Sequence, residues 1–295
     1  MIFGFSSYCF RSPLGTGEMT LLDVIDWVAD SEGEHLELAS ISTEPDNPVP
    51  NSKSDDVFVK AVADRAAERG VPLSNLAIGA NFFTDDEAAR RQQIAHVKAH
   101  VDLAAALGIT RMRHDVVRHS PEAGDDTPTF ERAFPLIVSA CKEIARYAAR
   151  KGVTTSLENH GFFVQASDRV RRIVHAVEEP NFKTTLDIGN FLCVDEDPTS
   201  AVPANLPLAL TVHLKDFYVR PADRNPGEGW FRSRGGKYLR GAIVGNGDID
   251  TYAVMKSIKE SGYDGLATIE FEGDEDWRIG TTRGLANAKR IYAEV

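Results

Sequence analysis

One pattern recurs along this chain and narrows its fold more than any other feature. A helix-compatible stretch ends at a glycine, and a short β-branched run follows at once. It reads ERG then VPLSNLAIGA, AALG then ITRMRHD, ARKG then VTTSLENH, and ESGYDG then LATIEFEG. Glycine supplies the left-handed residue that closes a helix. Runs without clean alternation suit parallel strands covered on both faces. Gly70, Gly108 and Gly152 lie 38 and 44 residues apart, about the pitch of one βα unit.

The helices carry their own signal. Phe134, Ile137, Val138, Cys141, Ile144, Ala145 and Ala148 advance by three and four and mark one buried face, as do Ile94, Val97, Val101, Ala104 and Leu107. Asp85 and Asp86 are expected in the first turn of the latter helix, with Thr84 as its N-cap. Candidate strands fall at 2–8, 35–40, 76–82, 109–114, 153–160, 183–189, 210–216 and 266–273. Three prolines within 198–209 leave room for only a short helix, and 217–247 reads as a long loop. Eight units in 295 residues, with no linker or composition shift, predict a single-domain (β/α)8 TIM barrel over 1–295.

Charge excludes some functions. With 33 basic and 44 acidic residues the net charge is −11, which disfavours nucleic acid and anionic membranes as partners. The N-terminus lacks the basic start of a secretory signal, and Cys9, Cys141 and Cys193 form no CxxC pair. A reduced, cytoplasmic protein is expected.

In such a barrel, chemistry sits at the C-terminal ends of the strands. The fifth candidate strand ends in Glu158, Asn159 and His160, and the sixth carries Asp187. The seventh carries His213, Lys215 and Asp216, and the eighth Glu270 and Glu272. Buried unpaired charge is costly, so four consecutive strands that each break the apolar pattern need a shared counter-charge. A divalent cation held by Glu158, Asp187, His213 and Glu270 is the simplest one. Other features read as structural. His96 and His100 sit on a helix face without the acid a helical metal motif needs, and His35 is packed or outward beside the inward candidate Glu37. GTG at 15–17 and VGNGD at 244–248 read as hinges rather than phosphate cradles.

SLENHG, TLDIGNF, VHLKDF and ATIEFEG, in that order, resemble the sugar (phosphate) isomerase/epimerase family with the xylose isomerase-like TIM barrel. The resemblance implies one divalent ion, Mn²⁺ foremost with Mg²⁺, Co²⁺ or Zn²⁺ as alternatives, on Glu158, Asp187, His213 and Glu270. It also implies that Glu158 and Glu270 double as the acid/base pair on opposite faces of a carbohydrate substrate. Asn190 stands where the family's ketose epimerases commonly place a substrate-contacting histidine, and is assigned to substrate binding. His160 is a third acid/base group that the ordinary epimerase motif lacks.

The expected reaction is isomerisation or epimerisation of a sugar-like carbonyl compound through an enediolate. Lys215 either supplies positive charge to the developing oxyanion or is tied to Asp216 or Glu270. The alternatives are a lyase on 3-oxo-glycosides, including carbon–glycoside cleavage with His160 as base, and a non-catalytic sugar-binding barrel. The basic stretch 217–247 is read as a solvated face, an anion site or a contact with a partner subunit or second copy. Its Trp230, Phe231 and Tyr238 are candidates to stack on a sugar or cover the pocket.

Overall fold

The computed structural model describes residues 1–39, 56–117 and 124–295. Helix passes to strand through the glycines that the sequence marks. Gly70, Gly108, Gly152 and Gly262 take φ of 67°, 72°, 71° and 75°, a region that a Cβ would strain.

From the N-terminus the chain forms β1 (Ile2–Ser6), α1 (Arg11–Thr16), α2 (Leu21–Ala29), β2 (Leu36–Leu38), α3 (Asp56–Arg69) and β3 (Leu73–Ile78). It continues through α4 (Glu87–Ala106), β4 (Arg111–His114), α5 (Thr127–Ala149), β5 (Thr154–Glu158), α6 (Ser167–Val177) and β6 (Phe182–Asp187). Next come α7 (Pro198–Asn205), β7 (Ala209–Leu214), β8 (Asp216–Arg220), β9 (Phe231–Arg232) and β10 (Tyr238–Ala242). The chain ends with α8 (Thr251–Glu260), β11 (Leu266–Ile269) and α9 (Trp277–Glu294). Strands β1 to β7 and β11 close into one parallel barrel, the expected (β/α)8 architecture.

The element bounds differ from expectation where the rim begins. β3 lies three residues earlier than expected, because pairing starts as soon as Gly70 has turned the chain: Leu36 already donates to Pro72 O at 3.0 Å. β5 and β11 stop at Glu158 and Ile269, so His160, Glu270 and Glu272 stand just beyond the ladder. Ser40, expected at the end of the second strand, lies outside the described residues. Asp86, not Thr84, caps α4, accepting the Ala88 and Ala89 amides at 2.8 and 3.3 Å. Thr84 instead receives the Asp86 amide at 3.2 Å, and Asp85 precedes the helix.

The long loop after β7 is also more ordered than expected. β8, β10 and β9 make a separate three-stranded antiparallel sheet, and three basic residues of this region meet acids of other segments. Arg220 meets Asp248 at 3.1 Å, Arg234 meets Asp125 at 2.7 Å, and Lys237 meets Asp195 at 3.5 Å. The aromatic residues serve the same sheet. Trp230 lies 5.0 Å under Arg240, Tyr238 lies 3.9 Å under Arg232, and Phe231 packs edge-on to Phe217.

The periodic face of α5 is buried at Ile137, Cys141, Ile144, Ala145 and Ala148 and half-buried at Phe134 and Val138. All three cysteines are free and buried. Among the described residues no helix is long and apolar enough to cross a membrane. Inside the barrel, residues two positions before the predicted ligands share their face. There Ser156, Thr185, Thr211 and Thr268 replace the branched apolar side chains usual in such barrels. Ser156 Oγ lies 2.8 Å and Thr211 Oγ1 3.1 Å from Thr185 Oγ1.

Three buried histidines stand as neutral rings. Burial lowers His35, His100 and His114 each to about 4, outweighing the neighbouring acceptors that favour the proton. The unfolded chain protonates them near pH 6.5, so their contribution is complete above that pH and falls as pH drops from 6.5 to 4. Moving a histidine's titration by one pH unit is worth roughly 1.4 kcal/mol of stability. Urea unfolding at pH 7, 5.5 and 4.5 should show a steadily falling midpoint, with a smaller fall in His114→Phe. An unchanged midpoint would count against this reading.

Candidate active site

The barrel geometry brings four sequence-predicted residues to one point. Glu158 and Asp187 end their strands, His213 is the penultimate residue of β7, and Glu270 follows β11 directly. One ligand atom from each lies within 4.8 Å of every other. His213 Nδ1 stands 3.8 Å from Glu158 Oε1 and 3.7 Å from Glu270 Oε2.

Neighbouring groups hold these atoms inward. Asp187 Oδ1 accepts the Gly189 and Asn190 amides at 2.8 and 2.9 Å, leaving Oδ2 buried without a hydrogen bond. Glu158 Oε1 accepts the Asn190 amide side chain at 3.0 Å, and Oε2 is paired with Arg113 Nε. Asn190 Oδ1 reaches back toward Lys215 at 3.4 Å, so its side chain spans two site residues. His213 Nε2 bonds Glu37 Oε2 at 2.8 Å, and Asn75 steadies Glu37 at 2.7 Å. The bond at Nε2 leaves Nδ1 facing the cluster, also without a hydrogen bond.

Lys215 belongs to the acids. Its Nζ lies 2.8 Å from Glu270, 3.3 Å from Asp187 and 3.6 Å from Glu272. Of the two expected carboxylate partners, Glu270 takes it and Asp216 does not. Asp216 turns away to accept backbone amides from Phe217, Gly245 and Gly247 at 2.8, 3.0 and 2.9 Å. The VGNGD segment is therefore a carboxylate cradle rather than a hinge: at Gly247 an added Cβ would lie 2.2 Å from Asp216 Oδ1.

Electrostatics match that picture. Burial would raise Glu270, but Lys215 and His213 outweigh it and hold the carboxyl well below its usual range. Burial also dominates at Asp187, and with repulsion from Glu158 and Glu270 it pushes this acid up to about 7 despite Lys215. His213 is driven the other way, since Glu37 and the cluster acids override burial and raise it well above its ordinary value. Positive charge is thus favoured at the convergence point, where one acid remains under-compensated. An oxygen-rich set with one imidazole suits a divalent cation.

A second group lines the opposite wall. His160 Nδ1 lies 3.0 Å from Asp115 Oδ1, and Arg113 reaches the same oxygen at 2.9 Å while also pairing Glu158. Burial would depress His160, but Asp115 prevails and raises it. These walls, with Tyr8 and Ile78, enclose a cavity of about 310 Å³ that exposes Glu158, His213, Lys215, Glu270 and Glu272. Trp230, Phe231 and Tyr238 do not line it. Sequence reasoning missed Arg113 and Asp115, although charges in the strand-like run RMRHD were a visible signal. Glu37 was expected to point inward, but not to hold His213.

His35 and His100 are structural. His35 is buried against Gly4, where an added Cβ would meet the ring at 2.6 Å. His100 is buried rather than on an open helix face and bonds His96 O at 2.9 Å.

Comparison with known proteins agrees with this architecture. A profile of the xylose isomerase-like TIM barrel family matches residues 25–292. Inosose dehydratase of Clostridium botulinum (strain Eklund 17B / Type B) is 22% identical over 220 residues, covering 71% of this chain and 74% of that protein. L-ribulose-5-phosphate 3-epimerase UlaE of Salmonella typhi is 24% identical over 218 residues, covering 71% and 68%. The solved structure of IOLI protein with a binding zinc atom has a TM-score of 0.76 at 16% identity, covering 100% of this chain and 97% of that one.

Removing the carboxylate behind a ligating imidazole typically weakens metal binding 10–100-fold. In a Co²⁺ titration followed by visible absorption, Glu37→Gln should bind about 10–100-fold more weakly than the parent protein. Equal affinity would mean that the Glu37–His213 bond does not tune this site.

Proposed function

Because the chain belongs to the xylose isomerase-like TIM barrel family and converges Glu158, Asp187, His213 and Glu270 on one point, we propose a divalent-metal-dependent enzyme. Its reaction is the isomerisation or epimerisation of a sugar or sugar-like carbonyl compound by proton transfer. The observation that carries this reading is the four-residue cluster itself, in which His213 Nδ1 has no hydrogen bond and Asp187 Oδ2 is met by Lys215 Nζ at 3.3 Å. Of the two relatives named above, the 3-epimerase supports this reaction and the dehydratase supports the elimination considered next, and both reactions begin with loss of a proton next to a carbonyl.

Glu158, Asp187, His213 and Glu270 would hold the ion, with Mn²⁺ the first candidate. A divalent cation bound there supplies Lewis acidity that stabilises an enediolate oxygen. Glu270, kept ionised by Lys215 and His213, is suited to take the carbon-bound proton. Glu158 faces it across the cluster and is the partner that returns a proton to the opposite face or the neighbouring carbon. Arg113 and Asn190 fix the Glu158 carboxylate, and Lys215, which lines the cavity, is the cation that would meet the substrate.

A second reading, elimination by a lyase, is favoured by one observation. His160 stands at the rim with Asp115 holding its Nδ1, an acid/base group additional to the glutamates. Elimination needs such a group to remove a proton or protonate a departing oxygen.

The test is turnover of ketoses, inososes and 3-oxo-glycosides with added Mn²⁺ in deuterated water, read by mass spectrometry. An isomerase or epimerase adds one deuterium to an intact skeleton, whereas a lyase releases water or an aglycone. Glu158→Gln and Glu270→Gln should each lower kcat about 10²–10⁴-fold. Full turnover in either variant, or after exhaustive chelation, would sink the proposal.

A further inference from the structure

The ammonium of Lys215 is buried, its side chain 5% exposed, yet no single partner fixes it. It is shared among four acceptors: Glu270 Oε2 at 2.8 Å, Asp187 Oδ2 at 3.3 Å, Asn190 Oδ1 at 3.4 Å and Glu272 Oε2 at 3.6 Å. Two of these oxygens are the ones their residues hold for the cluster. Asp187 Oδ1 is taken by the Gly189 and Asn190 amides, which leaves Oδ2, and Glu270 Oε2 is the atom that faces His213 Nδ1 at 3.7 Å. Lys215 and a divalent ion therefore claim the same pair of carboxylate oxygens. Two cations brought to the same buried atoms repel strongly, because little water screens them.

The other contacts give the ammonium somewhere to go. Glu272 is outside the ligand set, is 20% exposed against 11% for Glu270, and lines the cavity together with Lys215. The base of the side chain has its own seat. Gly189 leaves room for it, since an added Cβ there would lie 3.0 Å from Lys215 Cβ and Cγ. Only the flexible end of the stem has to swing.

We propose that Lys215 and the divalent ion compete for Asp187 and Glu270, so that metal loading swings the ammonium toward Glu272 and presents it to the substrate. Lys215 thereby lowers the metal affinity of the site, and Glu272 is the positioning residue that receives the displaced charge. This rests on the metal-dependent reading above and adds the coupling between the two cations.

The experiment is a Co²⁺ titration at one fixed pH, followed by visible absorption, on the parent protein, Lys215→Gln, Glu272→Gln and the double variant. Lys215→Gln should bind about 10–100-fold more tightly than the parent. Glu272→Gln should bind roughly tenfold more weakly, and that loss should shrink to about twofold in the Lys215→Gln background. A crystal structure of the Mn²⁺-loaded parent should place Lys215 Nζ closer to Glu272 than to Glu270. Equal or weaker binding in Lys215→Gln, an undiminished Glu272 effect in the double variant, or an ammonium still seated on Glu270 in the loaded crystal would overturn the proposal. Glu272→Gln and the loaded crystal keep Lys215 in place, so poor folding of Lys215→Gln does not shield the proposal from refutation. Failure of parent and Lys215→Gln alike to bind Co²⁺ would defeat the metal-dependent reading and this inference together, whereas binding indifferent to Lys215 would defeat this inference alone.

Discussion

Mutual repulsion of buried carboxylates at the open end of the barrel is the constraint on which the rest of the site depends. Glu158, Asp187 and Glu270 converge within one coordination-sized space, with Glu37 directly behind His213. Burial alone would drive such acids toward neutrality. The chain answers with three cations placed by two strands: His213 on β7 with Lys215 just beyond it, and Arg113 on β4. Glu270 is stabilised as an anion by this arrangement, while Asp187 remains only partly compensated. The residual deficit, rather than the number of acids, is what a bound cation would offset.

The barrel makes that arrangement rigid. Each ligand sits at or beside a strand end, where the parallel ladder fixes its Cα and the next turn supplies amides or side chains that fix its carboxylate. The clearest instance is the turn after β6, where Gly189 and Asn190 donate to Asp187 Oδ1 and point Oδ2 at the cluster. Beneath this layer, hydroxyls of Ser156, Thr185 and Thr211 bond one another. A polar support of this kind tolerates charge above it better than a wholly apolar interior would.

Much of this was legible because strand ends impose local chemical contradictions. An acid or histidine in a run that must be buried on both faces stands out without any knowledge of its partners, which is why Glu158, Asp187, His213 and Glu270 could be named. The glycines after α3, α4, α5 and α8 are equally local, since a positive φ there favours that residue. Partnership is not local. Asp115 and His160 are 45 residues apart, and Glu37 and His213 are 176 apart. Only closure of the barrel brings them together, so the chain sequence offered charges in a strand without saying which charge each one answers.

The region after β7 shows the same limit from the other side. Its arginines and aromatic residues, read along the chain, left open a solvated face, an anion site, a partner contact or a platform for a sugar. In three dimensions Arg220, Arg234 and Lys237 each meet an acid from a different segment, and Trp230 and Tyr238 lie beneath guanidinium groups of their own sheet. Charge density in sequence therefore measures what must be neutralised, not what is available. The distinction matters most at VGNGD, where glycines that could cradle a phosphate instead close around Asp216. An internal carboxylate in that position costs a buried charge, which four amides offset only in part, since burial still raises Asp216 to about 6.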